Sequence, residues 1–184
     1  MISFPLIASL STLVSCINAP IKKYQLIQMK VTKVIDGDTL GLENQQKIRF
    51  LGIDTPETLK HDNSNKLAKY ENYYALKAKE YVKQLCQNQT LWFYITSVDQ
   101  YNRLVAIILF NDQLDAKKSL NYLLVANGLA RMKFIDINSP KSKFNVVDVF
   151  SKNLYYELIN AQNQAMINKA NIWQHPINQV FYKK

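Results

Sequence analysis

The stretch VIDGDTLGLENQQKIRFLGIDTPET, residues 34–58, limits what this chain can fold into more than any other part of it. Residues 24–35 alternate and are rich in Val, Ile and Tyr, which predicts a strand. Asp36-Gly37 then predicts a tight turn. Residues 39–42 and 47–53 read as two further strands around the polar ENQQ, and Pro56 ends strand pairing. The same stretch holds five acids, Asp36, Asp38, Glu43, Asp54 and Glu57, and one arginine, Arg49. In a hairpin, Asp38 and Asp54 can lie on neighbouring strands. Two carboxylates roughly 4 Å apart repel by about 4 kcal/mol at an effective dielectric near 20. Unless the side chains point apart, something positive must sit between them. Arg49 meets that need, and so does a metal ion.

The rest of the chain adds helices to this hairpin. Residues 66–87 carry Leu67, Tyr70, Tyr74, Ala78, Tyr81 and Leu85 near helical spacing. Residues 90–97 and 103–110 read as strands joined at VDQYN. Residues 119–127 predict a short helix, capped by Ser119 and closed by Gly128. Residues 129–134 are extended, IDINSPKSKFNVVDVF is an irregular loop, and residues 149–170 predict a terminal helix followed by NIW. The expected class is α+β: a five-stranded OB-fold-like β-barrel with three α-helices packed on it. The expected domain spans residues 24–175, with a tail at 176–184.

With 184 residues the chain fits one domain with a sizeable core. The count of 23 Lys+Arg against 14 Asp+Glu gives a net charge of +9 and suggests a polyanionic partner, either nucleic acid or an anionic membrane surface. Only three of the bases are arginines: Arg49, Arg103 and Arg131. A planar guanidinium matches phosphate or carboxylate with two parallel donors, so these positions are candidates for chemistry. Both histidines, His61 and His175, lie outside the acidic stretch. That argues against a zinc site and against a histidine base. Carboxylates and carbonyls are hard donors that suit Ca²⁺ or Mg²⁺.

The first charged residue is Lys22. The apolar run before it is short and serine-rich, which suits an export signal over residues 1–19 better than a membrane span. It ends in LVSC, residues 13–16, which resembles a bacterial lipobox. That resemblance implies cleavage before Cys16, lipidation of Cys16 and a cell-surface membrane anchor. Simple cleavage near Ala19, with release of a secreted chain, and an uncleaved anchor are the other readings. Cys86 is then left without an intramolecular partner and reads as a small buried apolar residue.

The motifs VIDGDT, IRFLGIDTPET, DQYNR, NGLA and NIW resemble, in the same order, those of the staphylococcal nuclease (thermonuclease) family. The resemblance runs over residues 31–173. It implies a Ca²⁺-dependent phosphodiesterase on an OB-fold barrel, acting as an endonuclease on DNA and possibly RNA. By motif position it implies that the carboxylates of Asp38 and Asp54 and the carbonyl of Thr55 bind one Ca²⁺. Arg49 and Arg103 would grip the scissile phosphate, and Glu57 would deprotonate or position the attacking water. The 5′-oxygen would leave, giving 3′-phosphate products. Tyr101 and Phe134 fall where substrate contacts are expected. Arg131 reads as structural or surface, Asp36 as turn chemistry and Glu43 as loop surface.

The chain also departs from the family. Asn102 replaces a glycine in the turn before Arg103, and asparagine tolerates the left-handed backbone needed there. Gln100 replaces a phosphate-contacting lysine. Phe134 and Asp136 stand where two substrate-lining tyrosines are usual, and an acid at 136 is expected to weaken phosphate binding. The loop that follows is longer. The alternative to an active monomeric nuclease is a catalytically weak surface lipoprotein that binds nucleic acid or another polyanion.

Overall fold

The computed structural model describes residues 22–60 and 66–182. The export segment with Cys16, and His61, lie outside the described residues. The first strand, β1 (Gln25–Asp36), is long enough to serve two neighbours. Its first half pairs antiparallel with β5 (Thr90–Val98), and its second half with β2 (Thr39–Leu42). Irregular register after Val31 and again after Val34 bends the strand between these partners. β3 (Lys47–Phe50) pairs with β2, and β6 (Leu104–Leu109) runs parallel to β3 and antiparallel to β5. The closed order β1-β2-β3-β6-β5 is the expected five-stranded barrel. Leu40, Ile48, Phe50, Phe93, Ile95 and Ile108 are buried and share its inner face by register.

Three α-helices surround the barrel, as expected. α1 (Glu71–Cys86) starts five residues later than its apolar spacing predicts, and buries Tyr74, Ala78, Val82 and Cys86 in one stripe. α2 (Leu120–Ala126) is capped by Ser119, whose hydroxyl accepts from the Tyr122 amide, as anticipated. α3 (Val149–Ile167) is capped by Asp148 and buries Leu154, Leu158 and Ala161.

Two departures from the expected layout position the site. The first is a break in residues 47–53, which a continuous apolar run presents as one strand. Gly52 takes φ +78°, and β4 (Ile53–Asp54) leaves the barrel to pair with β7 (Arg131–Met132). A side chain at Gly52 would also come within 2.8 Å of Leu158 Cδ1. Fully buried Asn121 fixes the break. Its amide donates to the carbonyls of Leu51 (2.8 Å) and Ala106 (3.2 Å), and its oxygen accepts from the Ile108 amide (3.0 Å). The second departure is the end of the chain. Instead of a tail after residue 175, Val180 and Phe181 are buried with Tyr74 and Ile172 in a small second apolar cluster. Glu71, buried at the start of α1, accepts from the amides of Ala68 (2.8 Å) and Tyr182 (2.9 Å) and secures that end.

Asn121→Leu removes the side-chain partner of the Leu51 carbonyl and the Ile108 amide, and leaves the Ala106 carbonyl only the Leu51 amide; it is expected to lower unfolding free energy by on the order of 3 kcal/mol in urea titrations. Burial pushes the Cys86 thiol up to about 12. It should therefore resist thiol reagents at about pH 8 in the native protein and react only after unfolding.

Candidate active site

Strand register brings the acidic stretch together. In the β2–β3 hairpin Arg49 lies opposite Thr39, one residue from Asp38, and the Phe50 amide donates to the Asp38 carbonyl. The break at Gly52 turns the following residues back across the hairpin. Arg49 then spans the two carboxylates: Nη1 pairs with Asp38 Oδ1, and Nη2 lies 3.4 Å from Asp54 Oδ1 and 3.3 Å from the Ile53 carbonyl. Asp38 is 3 % exposed, and its Oδ2 accepts from the Thr55 amide at 3.1 Å. The Thr39 hydroxyl donates to its Oδ1 at 3.0 Å. A buried carboxylate survives only with such partners.

Asp36 ties the two acidic turns to each other. It accepts from the Thr58 hydroxyl at 2.8 Å and from Lys60 Nζ at 3.3 Å. Gly37 between them leaves no room for a side chain, because a Cβ there would sit 2.8 Å from Ala78 Cβ and 3.1 Å from Thr55 Cγ2. Glu57 stands at the rim with 58 % of its side chain exposed, paired with Lys60 at 3.7 Å. Partial desolvation and then the Asp38 charge hold its carboxyl above the ordinary range; Lys60 and Arg49 oppose this, and Asp36 adds to it.

Of the two readings of Arg131, structural and surface, its contacts support the structural one. Register places it opposite Asp54 in the β4–β7 pair, and its Nε and Nη2 donate to Asp54 Oδ2 at 2.9 and 2.8 Å. Lys133 Nζ lies 3.6 Å from the same oxygen. Sequence reasoning missed this contact because the partners lie 77 positions apart; the available signal was the rarity of arginine.

Arg103 and Tyr101 occupy the β5–β6 turn. In the parallel β3–β6 pair Arg49 lies opposite Val105, so Arg103, two positions earlier, falls on the same outward side of the barrel as Arg49. Its guanidinium is held by Asp99, Nε to Oδ2 at 2.7 Å, and Asp99 Oδ1 accepts from the amides of Tyr101 and Arg103. Asn102 takes φ +59°, the left-handed conformation anticipated for it. Tyr101 is 70 % exposed, with its ring 5.3 Å from Arg103 Cζ. Phe134 flanks the other side, its ring 5.9 Å from Arg49 Cζ and 4.9 Å from Lys133 Nζ. The longer loop contributes Phe144, 5.0 Å from Phe134, with Lys143 over it. Asp136 turns into its own loop, where Oδ1 accepts from the amides of Asn138 and Ser139. These donors hold it below the ordinary carboxylate range. These bonds favour the charged form, so the carboxylate stays negative while it folds the loop.

Among the described residues no three His, Cys, Asp or Glu side chains converge as a metal cage. The donor set at Arg49 still fits a hard cation. Oδ1 of Asp38 and Oδ1 of Asp54 both converge on the one positive group between them, and neither thiol nor imidazole is part of the set. Such a cation would hold two carboxylates, with carbonyl and water oxygens completing the six to eight that Ca²⁺ prefers.

A closed five-stranded barrel with three helices, carrying DGDT, a returning arginine and DTPE on one edge, defines an OB-fold-like α+β protein with an acidic, arginine-bridged site. The family model described as "Staphylococcal nuclease homologue" matches residues 47–175, and the chain belongs to that family. It is 33 % identical to a thermonuclease of Staphylococcus hyicus over 152 residues, covering 79 % of this chain and 75 % of that protein. It is 28 % identical to a thermonuclease of Staphylococcus intermedius over 149 residues, covering 78 % and 74 %. An SPbeta prophage-derived endonuclease of Bacillus subtilis, YokF, is 27 % identical over 81 % of this chain and 45 % of its own length.

Asp99 allows a test by pH. Burial pushes its carboxyl up, but the amide and guanidinium of Arg103 and the Tyr101 amide outweigh burial and hold it below its usual 3.8. A lowered folded pKa stabilises the protein above the unfolded value, and that stability is lost as pH falls through the folded value. Unfolding free energy should therefore drop more steeply below about pH 4 in the parent than in Asp99→Asn, as read from urea titrations across that range.

Proposed function

We propose that the protein is a Ca²⁺-dependent phosphodiester endonuclease acting on DNA and RNA. The observation that carries this reading is Arg49 spanning Asp38 and Asp54 with Glu57 at the exposed rim beside them. The names of the relatives and the net charge of +9 support it. Asp38, Asp54 and the Thr55 carbonyl hold the cation. Bound there, Ca²⁺ supplies positive charge to the phosphate and lets carboxylates lie beside an anionic substrate.

The chain's own groups do the rest. Arg49 turns from the carboxylates toward the phosphate once their charge is met otherwise. Arg103 approaches from the same side of the barrel, its fork oriented by Asp99. Two guanidinium forks stabilise the charge that builds on the equatorial oxygens as water attacks phosphorus. Glu57 accepts the hydrogen bond of that water, whether it takes the proton or only orients the nucleophile. The 5′-oxygen leaves and a 3′-phosphate remains. Phe134 and Phe144 offer ring faces beside Arg49 for an unstacked base, and Tyr101 offers one beside Arg103.

Folded protein should clear DNA in an agar plate with Ca²⁺ and not with chelator; folded protein that clears none with Ca²⁺ contradicts the reading. Glu57→Gln and Arg103→Ala should each lose about 10²–10³-fold in kcat, with circular dichroism unchanged. Retention of full activity by either variant would remove that residue from its role.

The leader adds a proposal about location. Among the described residues no helix is long and apolar enough to cross a membrane. We infer export, with attachment through lipid on Cys16, from the LVSC motif. Mass spectrometry of the membrane fraction should find an acylated N-terminal cysteine at position 16. An unmodified chain starting near residue 20 in the medium would instead show simple secretion.

A further inference from the structure

Asp54 has two oxygens with different surroundings. Oδ1 faces Arg49 and Asp38, whereas Oδ2 is taken by the fork of Arg131 and by Lys133. The direction of Oδ1 is therefore set by whatever holds Arg131. The β4–β7 pair is only two residues long on each side, too short to fix a side chain by itself. The Arg131 guanidinium lies over a ring instead, with Cζ 3.8 Å from the Phe181 centroid. Phe181 is in turn buried with Tyr74, Ile172 and Val180, and the next amide, Tyr182, donates to buried Glu71.

We propose that Phe181, acting through Arg131, positions the Asp54 carboxylate for cation binding. The C-terminal segment is then a positioning device for the site rather than a tail. An aromatic face holds a guanidinium in one plane, and the fork of a planar guanidinium fixes one carboxylate oxygen and so aims the other. Lysine can match the charge at 131 but supplies no fork. Leucine can fill the volume at 181 but supplies no face. This inference rests on the reading of Asp54 as a Ca²⁺ ligand.

The test is calorimetric titration of Ca²⁺ into the full chain, with circular dichroism and urea unfolding confirming the fold of each variant. Phe181→Leu and Arg131→Lys are each expected to weaken Ca²⁺ binding about tenfold, the scale of a partly desolvated cation–π contact. Phe181→Tyr, which keeps the face, should bind within about twofold of the parent. At saturating Ca²⁺ and DNA, Phe181→Leu should keep the parent kcat while its half-saturating Ca²⁺ rises in step with the calorimetric constant. If Phe181→Leu and Arg131→Lys bind Ca²⁺ as tightly as the parent, the positioning role is overturned and the metal reading stands. If Phe181→Leu does not fold, Arg131→Lys alone decides by the same criterion. A folded parent that binds no Ca²⁺ overturns both.

Discussion

The acidic edge of this protein depends on one charge contact: a single guanidinium, Arg49, between the carboxylates of Asp38 and Asp54. Asp38 is almost wholly buried, and a buried carboxylate without a counter-charge carries a desolvation cost of several kcal/mol, of order the stability of a small domain. The barrel can therefore place carboxylates close together only because positive groups are delivered to the same point. Arg49 comes from the hairpin register, Arg131 from the β4–β7 pair and Lys133 from the residues after it, while Lys60 meets the neighbouring Asp36 and Glu57. On the proposed reading, a metal ion would take the place of the guanidinium without leaving these carboxylates exposed to each other.

The architecture around this contact serves to aim it. Gly52 takes the strand out of the barrel one residue before β4, and Asn121 supplies side-chain partners to the Leu51 carbonyl and the Ile108 amide beside the break. Gly37 lets the first acidic turn press against α1 and Thr55, so Asp36 reaches Thr58 and closes the second turn onto the first. On the far side of Asp54, Arg131 and Phe181 join the site to the second apolar cluster. Each device is a packing or hydrogen-bond requirement met by one residue, and each sits at a point where regular strand pairing stops.

The barrel strands, the three helices, the Ser119 cap and the left-handed Asn102 were legible because each rests on local chemistry: alternation, capping or backbone tolerance within a few residues. The acidic pair and Arg49 were legible for the same reason, since a hairpin brings them together over short sequence distance. What was hidden is long-range. The run IRFLGI reads as one strand, and only contacts from α2 and α3 show why it must break at Gly52. Arg131 meets Asp54 from 77 positions away, and the buried ends of the C-terminal segment find their apolar partners on α1 and at Ile172. The role of Asp136 in its loop was also hidden, because it accepts from two amides immediately following it, a geometry that charge alone does not reveal.

The central claim is that a positive group between Asp38 and Asp54 is obligatory, and that Arg49 and Ca²⁺ are interchangeable in supplying it. Urea unfolding of Arg49→Met, with chelator and with saturating Ca²⁺, tests this directly. In chelator the variant should lose about 3 kcal/mol relative to the parent, because two carboxylates are left facing each other. Ca²⁺ should recover most of that loss and stabilise the variant more than it stabilises the parent. An Arg49→Met protein as stable as the parent in chelator, or one that gains no more from Ca²⁺ than the parent does, would contradict the account.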